Sequence, residues 1–506
     1  NKRDKKIICQ NKQQKMNSSF AISPKLNKNK VFLLQKSEVE KRLDPQFYKQ
    51  EFKYNIAKIK KVKHKRLGEV VKYSTETWNS KDFFNSTFPY IEISEIDTLS
   101  GEIQNISQVE IKNAPSRAKM VVRENDIIIS TTRPNRGAIS FIRKQNDFSI
   151  ASTGFSVIRD IINPEIKREY LFAVIRQHII LKQFEQRSSG GNYPAITPEE
   201  LNNVIIPIPE INKQEKIISI FKTCVEQKKQ NEAQTEKLLA SIDDYLLKEL
   251  GITLPTPPEN ILMNRIFTTT IKEISGGRFD PKLYSPQTKA LLKSLLKTKY
   301  EFQTLKVMIV HSTAGDWGLD ENEKVNENEY VKCLVLRATE FDNKFNLNVE
   351  GNRAKYRLIN KIKLTTLDIQ TDDLLIEKSG GSRDQPVGRI AILHKDLTNN
   401  YTLCFSNFVH KIRFNQNIIY PEFAFNYLKT IHNIKITDVM QSQTNGIRNL
   451  ILSEYFNLPI PIPSLTKQKE IAKHITDIRK QAQQLKDKTK EALEKAGKEI
   501  ESILIS

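Results

Sequence analysis

The clearest pattern in the chain is a pair of long helical stripes. Near the end, Ile471, Ile475, Ile478, Ala482, Leu485, Thr489, Ala492 and Ala496 recur at steps of 4, 3, 4, 3, 4, 3 and 4. Such a heptad seam predicts a helix that packs against another helix. Midway along the chain Ile218, Phe221 and Val225 share a phase with Leu239, Ile242 and Leu246, while Lys228, Glu232 and Thr235 give that seam a polar middle. Each stripe runs for about 40 residues, hence roughly 60 Å at 1.5 Å per residue. A Pro-Ile-Pro run precedes each, and proline suits the approach to a helix but not its interior. Elsewhere, short β-rich runs such as Asp126–Ser130 and Tyr330–Leu336 alternate with polar loops, and helical segments are expected from Glu169 to Phe184 and from Glu422 to Leu428.

The two stripes belong to a long-range repeat. Arg42-Leu43-Asp44-Pro45-Gln46-Phe47-Tyr48 returns as Arg278-Phe279-Asp280-Pro281-Lys282-Leu283-Tyr284, and Ile206-Pro207-Ile208-Pro209 returns as Ile460-Pro461-Ile462-Pro463. The same marks in the same order bracket each half, so the chain is two copies of one plan with divergent interiors. The expected organisation is a polar basic extension (1–38), a first mixed α/β module (39–207), a first long helix (208–252) closed near Gly251, and a proline-containing linker (253–275). A second module (276–463) and a second long helix (464–506) complete it.

Composition narrows the class. Eighty Lys and Arg against 59 Asp and Glu leave a net charge of +21, which suits a polyanionic partner. No run approaches the ~20 apolar residues that span a bilayer, and Cys9, Cys224, Cys333 and Cys404 are too scattered for a disulfide framework, so a cytoplasmic protein is expected. The sequence contains no Asn-Pro-Pro-Tyr or Asp-Pro-Pro-Tyr tetrapeptide, no dinucleotide fingerprint, no phosphate-binding P-loop and no metal-ligand spacing of His and Cys. Asp372, Glu377 and Lys378 resemble a nuclease cluster only superficially, because neighbours on a strand point to opposite faces. No catalysis is expected of this chain.

The bracketing marks resemble the specificity subunit of type I restriction-modification enzymes. That family has a Pro-Ile-Pro…Gln…Ile motif where each long helix begins, here Pro207-Ile208-Pro209…Gln214…Ile217 and Pro461-Ile462-Pro463…Gln468…Ile471. Just upstream, Ser189-Gly190-Gly191-Asn192 and Thr444-Asn445-Gly446 take the place of the family's small polar turn. The residue before the glutamine, often acidic in the family, is Lys213 in one copy and Lys467 in the other. The resemblance implies an α/β (mixed α+β) fold with two tandem target-recognition domains, each followed by a long helix. The helices would form an antiparallel coiled coil with pseudo-two-fold symmetry. The implied partners are double-stranded DNA, two methyltransferase subunits and restriction subunits, with no membrane. S-adenosylmethionine, ATP and Mg would sit in those partners and no cofactor in this chain.

Candidate DNA-reading residues fall in three places. Lys53 to Arg66 holds seven basic residues and no acid, with Lys60, Lys61 and Lys63 placed to follow phosphates. Arg133, Asn135 and Arg136 follow one predicted strand, as Ser379, Arg383 and Gln385 follow another. Arg can fork onto guanine, and Asn or Gln can pair with adenine. Arg187, Ser189 and Asn192 precede the first Pro-Ile-Pro run, and Gln443, Asn445 and Arg448 precede the second. The expected mechanism is a bipartite site, one half per module, with half-sites about one helical turn or ~10 bp apart. Partner subunits would methylate adenine in host DNA and cut unmethylated foreign DNA. A stand-alone two-module DNA-binding regulator, or the recognition portion of a larger single-chain restriction-methylation enzyme, remains open at this point.

Overall fold

The computed structural model describes residues 23–506 except 24–25, 28–29, 41, 80–83, 260, 275–277, 343–345, 350–354, 382–384 and 445–446. The chain divides into two compact units, one of residues 1–233 and 485–506, the other of residues 234–484. Each long helix therefore contributes one stretch to each unit.

In the first unit a four-stranded sheet has the order Val71–Tyr73, Phe155–Ile161, Ile127–Ser130, Ile139–Phe141. A second has the order Ser107–Glu110, Thr87–Ile91, Ile150–Ser152, Ala118–Val121, with Thr87–Ile91 parallel to Ile150–Ser152. All four positions of Ile127–Ser130 are buried, as expected for a strand covered on both faces. The expected helix from Glu169 to Phe184 is two, Arg168–Ile175 and His178–Arg187. The break falls at Arg176 and Gln177, where the fully buried Arg176 guanidinium turns away to donate to the Gly137, Ile139 and Thr98 carbonyls.

The second unit repeats this plan. One sheet runs Ile309–Ala314, Val409–Phe414, Leu374–Glu377, Ile390–Ile392; the other runs Leu319–Asp320, Lys355–Asn360, Tyr330–Leu336, Leu403–Phe405, again with one parallel pair. The helix expected at Glu422–Leu428 is longer, Pro421–Asn433, because its apolar face continues through Ile431 into the core.

Each Pro-Ile-Pro run continues from a short edge strand that ends at its first proline. Ile205–Pro207 pairs antiparallel with His64–Arg66, and Pro459–Pro461 pairs with Phe302–Thr304. A two-stranded edge tolerates proline because no second neighbour needs its missing donor. The helices that follow run Ile211–Leu250 and Leu465–Ile505, 40 and 41 residues. Gly251, at φ +70°, ends the first of them, as a left-handed C-cap requires.

A buried glutamine fastens each helix to its module. The Gln214 side chain, fully buried, accepts from the Lys167 backbone N–H at 3.0 Å and donates to the Glu165 and Pro209 carbonyls at 2.6 and 2.9 Å. Gln468, equally buried, accepts from Tyr420 N–H at 2.7 Å and donates to the Ile418 and Pro463 carbonyls at 3.0 and 2.8 Å. The repeated Arg-x-Asp-Pro mark is a second clasp. Arg42 donates to the Arg187 carbonyl at 2.8 Å and pairs with Glu200 at 3.2 Å, whereas Arg278 donates to the Gln441 carbonyl at 2.9 Å and pairs with Glu454 at 3.2 Å.

Within each unit the two helix stretches run antiparallel. In the first, Asn231 meets Thr489 and Lys213 meets Ser506; in the second, Glu249 meets Lys467 and Tyr245 lies against His474. Of the expected seam, Ile218 and Phe221 pack on the first unit's core beside Ile500 and Leu504. Leu239, Ile242, Leu246, Ile471, Ile475 and Ile478 pack in the second unit's core. Val225 and Leu485 are half-buried. The stripes thus serve both as a helix pair and as part of each module's core.

Replacing Gln468 by Ala orphans two carbonyls and one N–H. Each such group costs about 1–3 kcal/mol, softened by entering water, so the second unit should lose about 2–4 kcal/mol. The chain holds two tryptophans, Trp78 in the first unit and Trp317 in the second. Urea unfolding of Gln468→Ala followed by their emission should move the Trp317 transition and leave that of Trp78 in place.

Candidate nucleic-acid interface

Two loops expected to act separately are knitted together in each unit. In the first, the loop after Ile127–Ser130 bridges the turn before the Pro-Ile-Pro strand through Thr132 and Ala195. Arg133 donates to the Asn192 carbonyl at 2.8 Å, and its guanidinium lies 4.2 Å from the centre of the exposed Tyr193 ring. Arg133 adopts a left-handed backbone at φ +48°, a conformation that costs a non-glycine residue energy and that is often kept at functional sites. Asn135, Arg136, Ser189 and Asn192 are exposed around this junction. Arg176 supports it from below through the Gly137 carbonyl, and burial pushes its guanidinium down to about 10, still far above neutral pH.

The second unit has the same join. Ser379 bridges Asn449, the Ser379 hydroxyl donates to the Asn449 side-chain oxygen at 2.6 Å, and Gly380 N–H donates to the Arg448 carbonyl at 3.1 Å. Its pre-helix loop is a hairpin, Gln441–Thr444 against Ile447–Leu450, which sets Gln443 opposite Arg448. Gln443 is exposed, and Arg448 and Gln385 are half-buried.

The basic run is built on other elements, the end of helix Gln50–Ile59 and the strand His64–Arg66. Lys60 and Lys61 are exposed; Lys63 is exposed too, but pairs with Glu165 at 2.5 Å. Two expected contacts are corrected. Arg187 is 7 % exposed, bonded to Glu200 at 2.7 Å and stacked near Phe47, so it is buried in the fold and not presented at the surface. Ser379 is 4 % exposed and its hydroxyl serves Asn449, which makes it a brace for the loop. Arg383 and Asn445 lie outside the described residues.

Glu377, 2 % exposed, is held by two bonds from Arg389 at 2.8 and 2.9 Å. Among the described residues no group of three or more His, Cys, Asp or Glu could hold a metal ion, and no helix is long and apolar enough to cross a membrane. Tyr193 and Asn449 carry no mark of their roles in the sequence, because the joins they belong to unite positions 59 and 70 residues apart. The clasp function of Arg42 and Arg278 did have a signal, the repetition of Arg-x-Asp-Pro at the head of each module.

Two modules of one plan, with matched polar loops and each locked to a long helix, define the class of fold. The chain belongs to the type I restriction modification DNA specificity domain family, whose model matches it twice, over residues 59–240 and 319–495. It is similar to the type I restriction enzyme HindI specificity subunit of Haemophilus influenzae, 27% identical over 167 residues, 33% of this chain and 36% of that protein. It is also similar to the type I restriction enzyme MjaIX specificity subunit of Methanocaldococcus jannaschii, 25% identical over 189 residues, 36% of this chain and 41% of that protein. The matched stretches thus span about two fifths or less of the length of these curated relatives. Among solved structures, one described under complex assembly and conformational transition of the type I R-M system aligns at TM-score 0.48 and 20% identity, covering 87% of this chain and 96% of that one. The HsdS subunit from Thermoanaerobacter tengcongensis aligns at TM-score 0.35 and 20% identity, covering 87% and 95%.

Burial also sets a pH response. His410 and His432 in the second unit are each pushed down to about 4, chiefly by desolvation, with Lys378 adding to the first and Lys435 and Arg389 to the second. Both are neutral when folded and ordinary, near 6.5, when unfolded. The unfolded chain therefore binds more protons between pH 6.5 and 4. Stability is full above 6.5 and falls toward pH 4 by at most roughly 1.4 kcal/mol per pH unit per histidine. The urea midpoint read by Trp317 should fall across that window, and the fall should be shallower in the His410→Gln/His432→Gln double variant.

Proposed function

We propose that this chain is the DNA-recognition subunit of a type I restriction-modification complex, a non-catalytic protein that reads a bipartite duplex site with one module per half. The observation that carries the reading is the recurrence, in both units, of a post-strand loop joined to a pre-helix loop. Around those joins stand Arg133, Asn135, Arg136, Ser189 and Asn192 in one unit, and Gln385, Gln443 and Arg448 in the other. These side chains can address base edges and phosphates, and the net charge of +21 supplies a sequence-independent attraction to the duplex. Residues 39–207 and 276–463 are the proposed target-recognition domains, and 208–252 and 464–506 the spacer helices.

The partners in this reading are two methyltransferase subunits, which carry S-adenosylmethionine and take the target adenine out of the helix, and restriction subunits that use ATP and Mg. The work of this chain is to place them on DNA in the cytoplasm.

The test is co-expression with the neighbouring methyltransferase, followed by mapping of modified adenines across the host genome. A split motif with a fixed gap is expected, and its halves should change independently when residues 39–207 or 276–461 are exchanged for those of a relative. No methylation from a soluble, assembled complex would refute the reading and leave a stand-alone DNA-binding regulator. Lys60 and Lys61, exposed and remote from the base-reading loops in sequence, are predicted to touch phosphate. Lys60→Ala/Lys61→Ala should weaken binding to all duplexes alike and reduce the slope of log affinity against log salt by about 2.

A further inference from the structure

Beside the braced loop of the second unit lies a cleft of about 1040 Å³, and that loop contributes Gln385 to its wall. Its walls include Trp317, Phe341 and Phe408, with Ser406, Arg337 and Gln385 between them. Phe408 is 49 % exposed. Ser406 is 2 % exposed, and its hydroxyl is a buried polar atom with no hydrogen-bond partner. A buried polar atom left without a partner costs free energy and calls for an explanation.

Among the described residues the charges around the cleft are already neutralised. Glu377 is held by Arg389, and Arg337 by Glu340 at 2.7 Å. Such a wall suits neither a phosphate nor a metal ion. It suits a flat, neutral heterocycle that lies against an aromatic face and offers an atom to the Ser406 hydroxyl. On one side Gly381 packs so closely that a Cβ there would meet the Gln385 carbonyl at 2.5 Å.

The Phe408 ring is not repeated at the matching place in the first unit. Lys378 N–H donates to the Phe408 carbonyl at 2.8 Å just as Thr131 N–H donates to that of Gly154 at 2.8 Å, so Gly154 stands where Phe408 does. The ring was placed on a scaffold that folds without it.

We propose that this cleft binds a single unstacked nucleobase, drawn from the DNA that the adjoining loop addresses. The inference rests on the DNA-recognition reading above and adds to it a specific subsite. Taking a base out of the stack costs a few kcal/mol, and stacking on an aromatic side chain returns about 1–3 kcal/mol, so contacts to the flanking duplex must supply the remainder.

The test uses the full chain with Trp78→Phe, which leaves Trp317 as its sole tryptophan. The four deoxynucleoside 5′-monophosphates and deoxyribose 5-phosphate are titrated against its emission. Saturable quenching by at least one nucleotide, absent with the sugar phosphate, is expected. Phe408→Ala should weaken it about tenfold or more. Ser406→Ala should weaken it about threefold to tenfold while leaving the urea midpoint equal or higher, because it removes an unpartnered hydroxyl. A merely structural serine would not produce that opposition. A duplex carrying the mapped site, with 2-aminopurine at successive positions of the second half, should brighten at one position and quench Trp317. Specific duplex binding with unchanged Trp317 emission and no bright position overturns the cleft and leaves DNA recognition standing. Quenching that survives Phe408→Ala also overturns it. Loss of both specific binding and methylation overturns the recognition reading itself.

Discussion

One buried primary amide per unit sets the geometry on which the rest depends. A long helix that starts beside a module presents the chain with orphan backbone groups: the carbonyl of the last proline, and an N–H and a preceding carbonyl where the module's own helix begins. The glutamine of the Pro-Ile-Pro…Gln motif satisfies all three at once, in both units, with the same two donations and one acceptance. No other side chain of that length offers an acceptor and two donors on one rigid plane. Because the amide is planar and fully buried, it fixes direction as well as contact. The module and the start of its helix therefore behave as one body.

That rigidity is passed to the loops. Arg42 and Arg278 each hold a carbonyl at the start of the pre-helix loop and a glutamate beyond it, while Arg176 or the Ser379–Asn449 pair holds the post-strand loop. The groups that brace are buried, and those at the tips are exposed. This division lets tips vary without loss of the fold, which is how one scaffold can carry Gly154 in one unit and Phe408 in the other.

What was legible in the sequence was whatever is local or periodic. The heptad steps and the prolines lie within one or two turns of each other, and each repeated mark is one contiguous run, so the two long helices, the repeat and the family could all be read from them. The pairing of loops could not, because Arg133 and Asn192, or Ser379 and Asn449, meet only after the sheets have closed. The same distance hid the burial of Arg187: on the sequence it opens a polar loop, yet Glu200 and Phe47 enclose it in the fold. The polar run Arg176-Gln177-His178 interrupts the apolar pattern from Glu169 to Phe184 but holds no proline or glycine, so the break was not read from it. The break at Arg176 follows from a demand of the loop it supports, not from the helix's own propensity.

The polar middle of the first helix shows why a seam is not made as apolar as it could be. Lys228, 4 % exposed, bonds Asp97 at 2.5 Å and Glu232 at 2.8 Å, and Asn231, 8 % exposed, donates to Thr489 at 2.9 Å. Buried charges of this kind rarely add stability over apolar residues of the same volume, but breaking one is expensive, about 3–5 kcal/mol. An apolar stripe stepped at heptads is satisfied nearly as well after a slip of one heptad. Lys228 and Asn231 are not, since a slip would separate the ammonium from Asp97 and the amide from Thr489. The polar pair therefore penalises every alignment of the helix in the first unit but one. Selectivity for one alignment is what the polar pair contributes where an all-apolar seam would contribute stability alone.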